Sequence, residues 1–246
     1  MNCVPGISVA YGTHRRLFGS ENMRRWMTVL LVAALGALAR PVLAVPTLYL
    51  DDGSTSVTIT DGSALDLNPA VGVVTFLGPL GIGPWAINVT TGITNPVLGS
   101  DAFPHLDLSS VNITTTGPGS LTIRWSDDGF GPTPGVLAAV GGTIGFGGSL
   151  VYSTYGDATN TLCVAGLCPG LLTSSLFAGL AFSGTAGASV FGLGSPYSLT
   201  QEVVITHTGV GATSFDASLE GVPEPGTLLL LGSGLLGLGF FARKKL

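Results

Sequence analysis

The sequence predicts an all-β protein folded as a single β-sandwich, of which a jelly roll is one form, between an N-terminal signal peptide and a C-terminal transmembrane helix. Three observations support this prediction. Apolar and polar residues alternate with a period of two in several segments of the middle of the chain. Gly and Pro recur between these segments at short spacing, as they do at turns and strand ends. Long apolar runs stand at the two ends, where membrane signals are expected.

The first 44 residues contain the three parts of a secretory signal peptide: basic residues, a short apolar run and a small-residue cleavage site. In order, these are Arg24-Arg25, residues 26–39 and Val42-Leu43-Ala44. We therefore expect cleavage after Ala44, with Met23 as an alternative start of translation. Two other interpretations stay open. One is an uncleaved anchor, although a span needs about 20 apolar residues; the other is twin-arginine export through Arg15-Arg16.

Residues 45–221 are predicted to form one domain, because no linker divides them and about 180 residues can bury a single core. Leu121, Ile123 and Trp125 alternate with polar neighbours, so we expect one face of this strand to be buried and the other to face water. Similar alternation marks three more segments, at residues 57–60, 197–206 and 215–219. These strands indicate the sandwich class.

Turn signals separate the predicted strands. Gly-Pro, Asn-Pro and Pro-Gly dipeptides interrupt a strand or begin a turn. They are found at Gly78-Pro79, Gly83-Pro84, Asn95-Pro96, Gly131-Pro132 and Pro169-Gly170. Leu172, Leu176 and Leu180 have helical spacing, but Gly170 and Gly179 disfavour a helix there. A short helix therefore stays open as an alternative for this segment.

The charge distribution excludes a basic nucleic-acid-binding protein. Between Val45 and Pro225, Arg124 is the single Lys or Arg against 13 acidic residues, which gives this region a formal charge of −12. The whole chain carries −5, because the other basic residues lie near its ends. A strongly acidic body repels nucleic acid and anionic polymers.

The cysteines indicate an oxidising compartment. Cys3 is removed with the leader, so Cys163 and Cys168 remain as an even pair in an exported protein. Such a pair predicts a disulfide. Its spacing is not Cys-x-x-Cys, which disfavours a redox role.

Sequence motifs of catalysis are mostly absent. There is no Gly-x-Ser-x-Gly elbow and no Walker A loop, and the Gly-x-Gly-x-x-Gly match at residues 232–237 lies in the terminal apolar run. His207 falls on the same alternating face as Val203 and Ile205, so we expect a packed or hydrogen-bonded histidine. His105-Leu106-Asp107 could orient an imidazole, but no nucleophile accompanies it. We therefore expect no catalytic residues and no enzymatic activity.

Acidic residues supply the candidates for a metal site. Asp51, Asp52, Asp127 and Asp128 offer the oxygen ligands that calcium prefers. The alternative, which we favour, is turn chemistry, because each pair is followed by Gly. We expect no cofactor, with calcium as the open exception. Three aromatic residues could stack on sugar rings: Trp85, Trp125 and Tyr155, although alternation places Trp125 in the core.

The last 25 residues, 222–246, form a tripartite signal. Pro223-Glu224-Pro225 comes first, residues 226–242 carry no charge, and Arg243-Lys244-Lys245 follow. The apolar part covers about 25 Å as a helix, which is just enough to span a hydrocarbon core. The basic cluster should stay cytoplasmic, so the domain ahead of it faces outward.

This order of elements resembles the PEP-CTERM sorting signal of exported proteins from Gram-negative bacteria. The resemblance implies processing by exosortase near Pro223-Glu224-Pro225, transient anchoring in the cytoplasmic membrane, and a location at the cell surface or outside the cell. It also implies a link with exopolysaccharide.

We therefore expect a non-enzymatic cell-surface or extracellular-matrix protein associated with exopolysaccharide. A calcium-assisted polysaccharide-binding module is the alternative, since an acidic body needs cations to approach an anionic glycan. An extracellular hydrolase comes third, because paired carboxylates would have to meet in space. The expected partners are exosortase, the membrane and the polysaccharide, and no nucleic acid.

Overall fold

The fold was analysed in a computed structural model, which describes residues 45–78 and 83–222 together with the single position Ser233. These residues contain twelve strands and one 3-10 turn at Phe191–Leu193. The strands are β1 Thr47–Asp51, β2 Ser56–Thr60, β3 Val73–Gly78, β4 Trp85–Ile93, β5 His105–Thr115, β6 Gly119–Phe130, β7 Gly135–Ile144, β8 Gly148–Asp157, β9 Leu171–Phe177, β10 Ala181–Ser189, β11 Tyr197–His207 and β12 Gly211–Val222.

The strands form two six-stranded antiparallel sheets, so the predicted β-sandwich is confirmed. Sheet A has the order β2-β1-β6-β11-β8-β9, and sheet B the order β10-β7-β12-β5-β4-β3. The last two strands lie inside the sheets: β11 pairs with β6 and β8, and β12 pairs with β5 and β7. Pairing across large sequence distances therefore holds both sheets together.

The core lies between the inner faces of the two sheets. Sheet A contributes Ile123 and Trp125 from β6, and sheet B contributes Phe215 and Leu219 from β12, all of them buried. Gly92 in β4 faces the Trp125 indole so closely that an added Cβ would collide with the ring. The inner faces thus follow the predicted alternation.

The prediction that the other face of β6 meets water was wrong. Arg124 is 8% exposed and Ser126 is fully buried, because the segment 158–170 between β8 and β9 folds over the outer face of sheet A. Three side chains of that face donate to carbonyl oxygens of the segment: Ser126 Oγ to Cys163 O at 3.3 Å, Ser198 Oγ to Thr161 O at 2.6 Å and Arg124 Nη2 to Gly166 O at 2.8 Å.

A disulfide joins Cys163 and Cys168 inside this covering segment, as predicted from their pairing in an exported chain. The leucines with helical spacing belong to strand β9 and the turn after it. Leu176 lies opposite Val151 of β8, so pairing with a neighbouring strand decides the structure there.

Candidate functional site

The outer face of sheet B carries a groove of about 680 Å³ that crosses β5, β12, β7 and β10. It continues into a second hollow of about 380 Å³, and the two share Gly141 and Asp216. The floor consists of small residues, among them Ala139, Gly141 and Gly184. Because none of these side chains extends far, an elongated ligand has room to lie along the sheet.

Three carboxylates and one imidazole line the groove: Asp107, Asp216, Glu220 and His105. The pairing of β5 with β12 brings them together. His105 lies opposite Glu220, Asp107 opposite Ser218, and Asp216 opposite Ser109, so Asp107 is diagonal to both other acids. His105 Nε2 and Glu220 Oε1 are 3.5 Å apart.

Burial raises the pKa of Asp107, and the charges of Asp216 and Glu220 raise it further, while His105 acts in the opposite direction. The carboxylate of Asp107 is therefore destabilised by its like-charged neighbours. A bound cation or a hydroxyl donor would relieve this repulsion. The described groove lining contains no Lys or Arg, so the site is chemically an acceptor of hydrogen bonds and a ligand for cations.

Sequence reasoning found this site only in part. It singled out His105 and Asp107, but as an imidazole with its orienting acid; the structure instead sets His105 against Glu220. Asp216 and Glu220 were missed. Their alternation with the apolar residues Phe215, Ala217 and Leu219 along β12 was visible, but the pairing of β12 with β5 spans about a hundred residues and has no local signal.

The four calcium candidates form two separate pairs. Asp51 lies opposite Thr122 near one end of β1, whereas Thr47, at the other end, lies opposite Ser126 beside Asp127. The pairs are therefore about 13 Å or more apart along the strands. Within the ranges 45–78 and 83–222, no group of three or more His, Cys, Asp or Glu side chains is arranged to hold a metal ion.

Hydrogen bonds of the β1–β2 turn use the first pair. Asp52 Oδ1 accepts from the backbone N–H of Ser54 at 2.9 Å and of Thr55 at 2.7 Å, and Asp51 Oδ1 accepts from Gly53 N at 2.8 Å. Burial alone would raise the pKa of Asp52, but the hydrogen bonds from Thr55 and Ser54 together lower it. This is the turn chemistry favoured from the sequence, and calcium binding remains an untested prediction.

The second pair is enclosed at the opposite end of the sandwich. Asp127 is fully buried, and its Oδ2 accepts from Thr94 Oγ1 at 2.8 Å. Burial raises its pKa to about 7, the hydrogen bonds oppose this, and Asp128 and Asp101 raise it further. Burial also raises the pKa of Asp128, which accepts a 3.4 Å hydrogen bond from Asn160. A carboxyl group that is half protonated near neutral pH is a poor calcium ligand.

Two of the three aromatic candidates for sugar stacking are not available on the described surface. Trp85 and Trp125 are buried in the core, and the hydroxyl of Tyr155 donates to Glu202 Oε1 at 3.0 Å on the outer face of sheet A. His207 is buried and its Nε2 lies 2.9 Å from Thr213 Oγ1, so the predicted packed histidine is confirmed.

The sorting and cleavage residues lie outside the described part of the chain. These are Ala44, Pro223, Glu224, Pro225, Arg243, Lys244 and Lys245. Among the described residues no helix has the length and apolar character needed to cross a bilayer. The predicted transmembrane segment, 226–242, is itself described only at Ser233. The last strand, β12, ends at Val222, directly before Pro223.

Comparison with known families identifies the tail. Residues 221–245 match the PEP-CTERM protein-sorting motif. This chain carries a PEP-CTERM signal. The signal indicates an exported, membrane-transiting protein that is sorted by exosortase, as the sequence resemblance implied.

No curated protein matches the PEP-CTERM chain. Solved structures similar to it include TmCBM61, solved in complex with β-1,4-galactotriose, at 9% identity and a TM-score of 0.33, covering 56% of this chain and 88% of that one. Another is the K1 cleaved adhesin domain of Lys-gingipain from Porphyromonas gingivalis, at 10% identity and a TM-score of 0.30, covering 63% and 93%.

Proposed function

We propose that this protein is a non-enzymatic component of the cell surface or extracellular matrix, sorted by exosortase and associated with exopolysaccharide. The main observation in support is the position of the PEP-CTERM motif, which begins where strand β12 of the sandwich ends. The signal thus sorts the sandwich domain that directly precedes it. The disulfide of the covering segment supports function in an oxidising compartment.

The absence of enzymatic activity belongs to the same proposal. In the groove, the described side chains with ionisable groups are three acids and His105, and no serine of the described chain makes a hydrogen bond to that imidazole. A nucleophile activated by an adjacent base is the usual requirement of covalent hydrolysis. Two carboxylates of the groove remain the basis for the third alternative, a glycan hydrolase.

Localisation tests the sorting role. We would replace Pro223, Glu224 and Pro225 together with alanine and compare the variant with Thr227→Ala, which leaves the tripeptide intact. The expected result is that the triple variant stays in the membrane fraction, while Thr227→Ala reaches the surface or the medium like the parent. Equal release of both variants would contradict exosortase sorting.

A second candidate function, calcium-assisted polysaccharide binding, is favoured by the groove on sheet B. The groove is long, its rim offers the hydroxyls of Ser183, Thr185 and Ser218, and its acids can accept hydrogen bonds from sugar hydroxyls or bind a bridging cation. A bridging cation would also offset the repulsion between the acidic body and an anionic glycan.

Binding of the exported protein to the producer's own polysaccharide, with and without calcium, tests this candidate. The informative variant is D107N/D216N, and D61N/D157N is the control with the same change in net charge outside the groove. Saturable binding that is lost only in D107N/D216N supports the module. No binding by the parent favours the purely structural role, and shortening of the glycan would favour a hydrolase.

A further inference from the structure

Strand β10 is an edge of sheet B among the described residues, and its outward-facing backbone groups can be identified. Within the ranges 45–78 and 83–222, β10 pairs with β7 alone. Two backbone hydrogen bonds continue this pairing just beyond the two ends of β10. Ile144 N donates to Leu180 O at 3.0 Å, and Val190 N donates to Pro134 O at 3.4 Å. Because hydrogen-bonded residues alternate in an antiparallel pair, even-numbered residues of β10 bond to β7 and odd-numbered residues direct their N–H and C=O groups outward.

These outward groups lack partners within the described chain. No hydrogen bond joins the backbone N–H or C=O of Ala181, Ser183, Thr185 or Gly187 to any residue of the ranges 45–78 and 83–222 outside β7. The side chains of these four residues are small and uncharged. β10 also lacks the Lys, Pro and bulges with which natural proteins block the addition of another strand.

The opposite edge of the same sheet is protected. In β3, Thr75 N donates to Asp66 Oδ1 at 3.0 Å, and Thr75 O accepts from Leu67 N at 3.0 Å. The segment before β3 therefore occupies both outward groups of that residue and brings a carboxylate to the edge. The contrast marks β10 as an edge left open for pairing.

The side of the sandwich around β10 is uncharged and partly apolar. From Gly129 to Gln201 the sequence contains one charged residue, Asp157. β9 lies on the same side, because the rings of Phe177 and Phe182 are 4.9 Å apart. Leu176 and Leu180 are 69% and 65% exposed there. In a protein whose body carries −12, a contact between two copies at this edge places no charged side chain of β9 or β10 against another.

We infer that the protein self-associates by antiparallel pairing of β10 with β10 of a second copy. Thr185 is the midpoint of Ala181–Ser189, so a two-fold axis beside it aligns the whole strand with its counterpart. Thr185 then exchanges two backbone hydrogen bonds with its counterpart, and Ser183 pairs with Gly187. Two copies of sheet B become one continuous sheet, with the two grooves side by side on the same face.

A second copy fits this edge better than an unrelated strand for two reasons. The two-fold arrangement matches the outward N–H groups of Ser183, Thr185 and Gly187 with C=O groups of an identical strand, so no side-chain complementarity is needed. Leu180, which directly precedes β10 and is 65% exposed, loses contact with water when the two edges pair. This inference does not depend on polysaccharide binding, and either can fail without the other.

Sedimentation equilibrium of the exported, processed protein tests the inference. We expect a reversible monomer–dimer equilibrium. Thr185→Pro removes the central outward N–H, and Thr185→Glu places two carboxylates face to face at the axis. Each should weaken dimerisation at least about tenfold. Thr185→Val keeps the backbone donor and the strand, so it should dimerise like the parent.

Thermal unfolding of each variant at a concentration where the parent is monomeric checks that the sandwich is intact. Thr185→Glu serves if Thr185→Pro does not fold. A parent that is monomeric at every concentration overturns the inference. Undiminished dimerisation of a folded Thr185→Pro or Thr185→Glu protein overturns it equally.

Discussion

Arg124 Nε donates to Glu202 Oε2 at 2.6 Å beneath the disulfide-containing segment, and both side chains are almost entirely removed from water. Arg124 is also stacked against Tyr49, with its guanidinium carbon 5.6 Å from the ring centroid, and its Nη2 donates to Gly166 O. The single basic residue of the acidic body is therefore used in internal contacts of the fold. It is not available to attract an anionic ligand.

Replacing one partner of this ion pair should destabilise the fold strongly. Arg124→Met leaves Glu202 charged and buried, so we expect a loss of about 3 to 5 kcal/mol in the free energy of unfolding. The double variant R124M/E202M removes both charges and should be much closer to the parent. Urea denaturation of the parent, both single variants and the double variant measures the coupling. If the loss of stability in the double variant equals the sum of the losses in the two single variants, the two side chains are not coupled, which would contradict a buried pair.

The disulfide should stabilise the covering segment more than its short loop alone suggests. The entropy of closing so small a loop accounts for roughly 2 kcal/mol. Loss of order in the segment would also expose Ser126 and Arg124, which donate to its carbonyl groups. We expect Cys163→Ala/Cys168→Ala to unfold at lower urea concentration and to expose Arg124 to solvent. If reductant leaves the parent's urea midpoint unchanged, this role is wrong.

Asp127 should make the protein less stable as the pH rises from about 4 to about 7. Its folded pKa, about 7, lies above the ordinary aspartate pKa of 3.8, so the folded state binds the proton more tightly than the unfolded state. Its contribution is complete below the unfolded pKa and is lost as the pH passes the folded pKa. At about 1.4 kcal/mol per pKa unit, the effect amounts to several kcal/mol.

Asp127→Asn is the variant that isolates this effect. The amide cannot ionise, and it can still pair with Thr94 and the backbone N–H of Asp128, the groups that now donate to Asp127. We expect the variant to be at least as stable as the parent at about pH 8 and to show a smaller loss of stability between about pH 4 and pH 7. Identical pH profiles of unfolding would show that Asp127 does not titrate in this range.

Gly92→Ala tests the packing of the core. The new Cβ would collide with the indole of Trp125, whose Nε1 donates to Ile93 O at 3.3 Å, so the ring cannot move without losing that bond. We expect a loss of about 1 to 3 kcal/mol. Gly209→Ala is the matched control, because no atom lies within 4 Å of its added Cβ. Equal thermal stability of the two variants would contradict this packing.

The sequence predicted what depends on local patterns. Ile123 and Trp125 are in the core because alternation along one strand already separates the faces. The Cys163–Cys168 disulfide and the sorting signal likewise follow from a short stretch of chain. Each of these features can be read without knowing which strands are neighbours.

Long-range pairing accounts for what the sequence did not predict. Arg124 was expected in water, and it is buried because a segment some forty residues later folds over it. Glu220 lines the groove because β12 pairs with β5. For Leu176, whose spacing leaves a short helix open, pairing with Val151 decides in favour of a strand. In each case the deciding neighbour is distant in sequence.

The mass of the exported protein, measured intact, tests the central claim most directly. The account predicts an N-terminus at Val45 and a C-terminus near Pro223-Glu224-Pro225, with the apolar and basic parts of the signal removed. A mass that includes Leu246 would contradict sorting by exosortase and with it the proposed role at the cell surface.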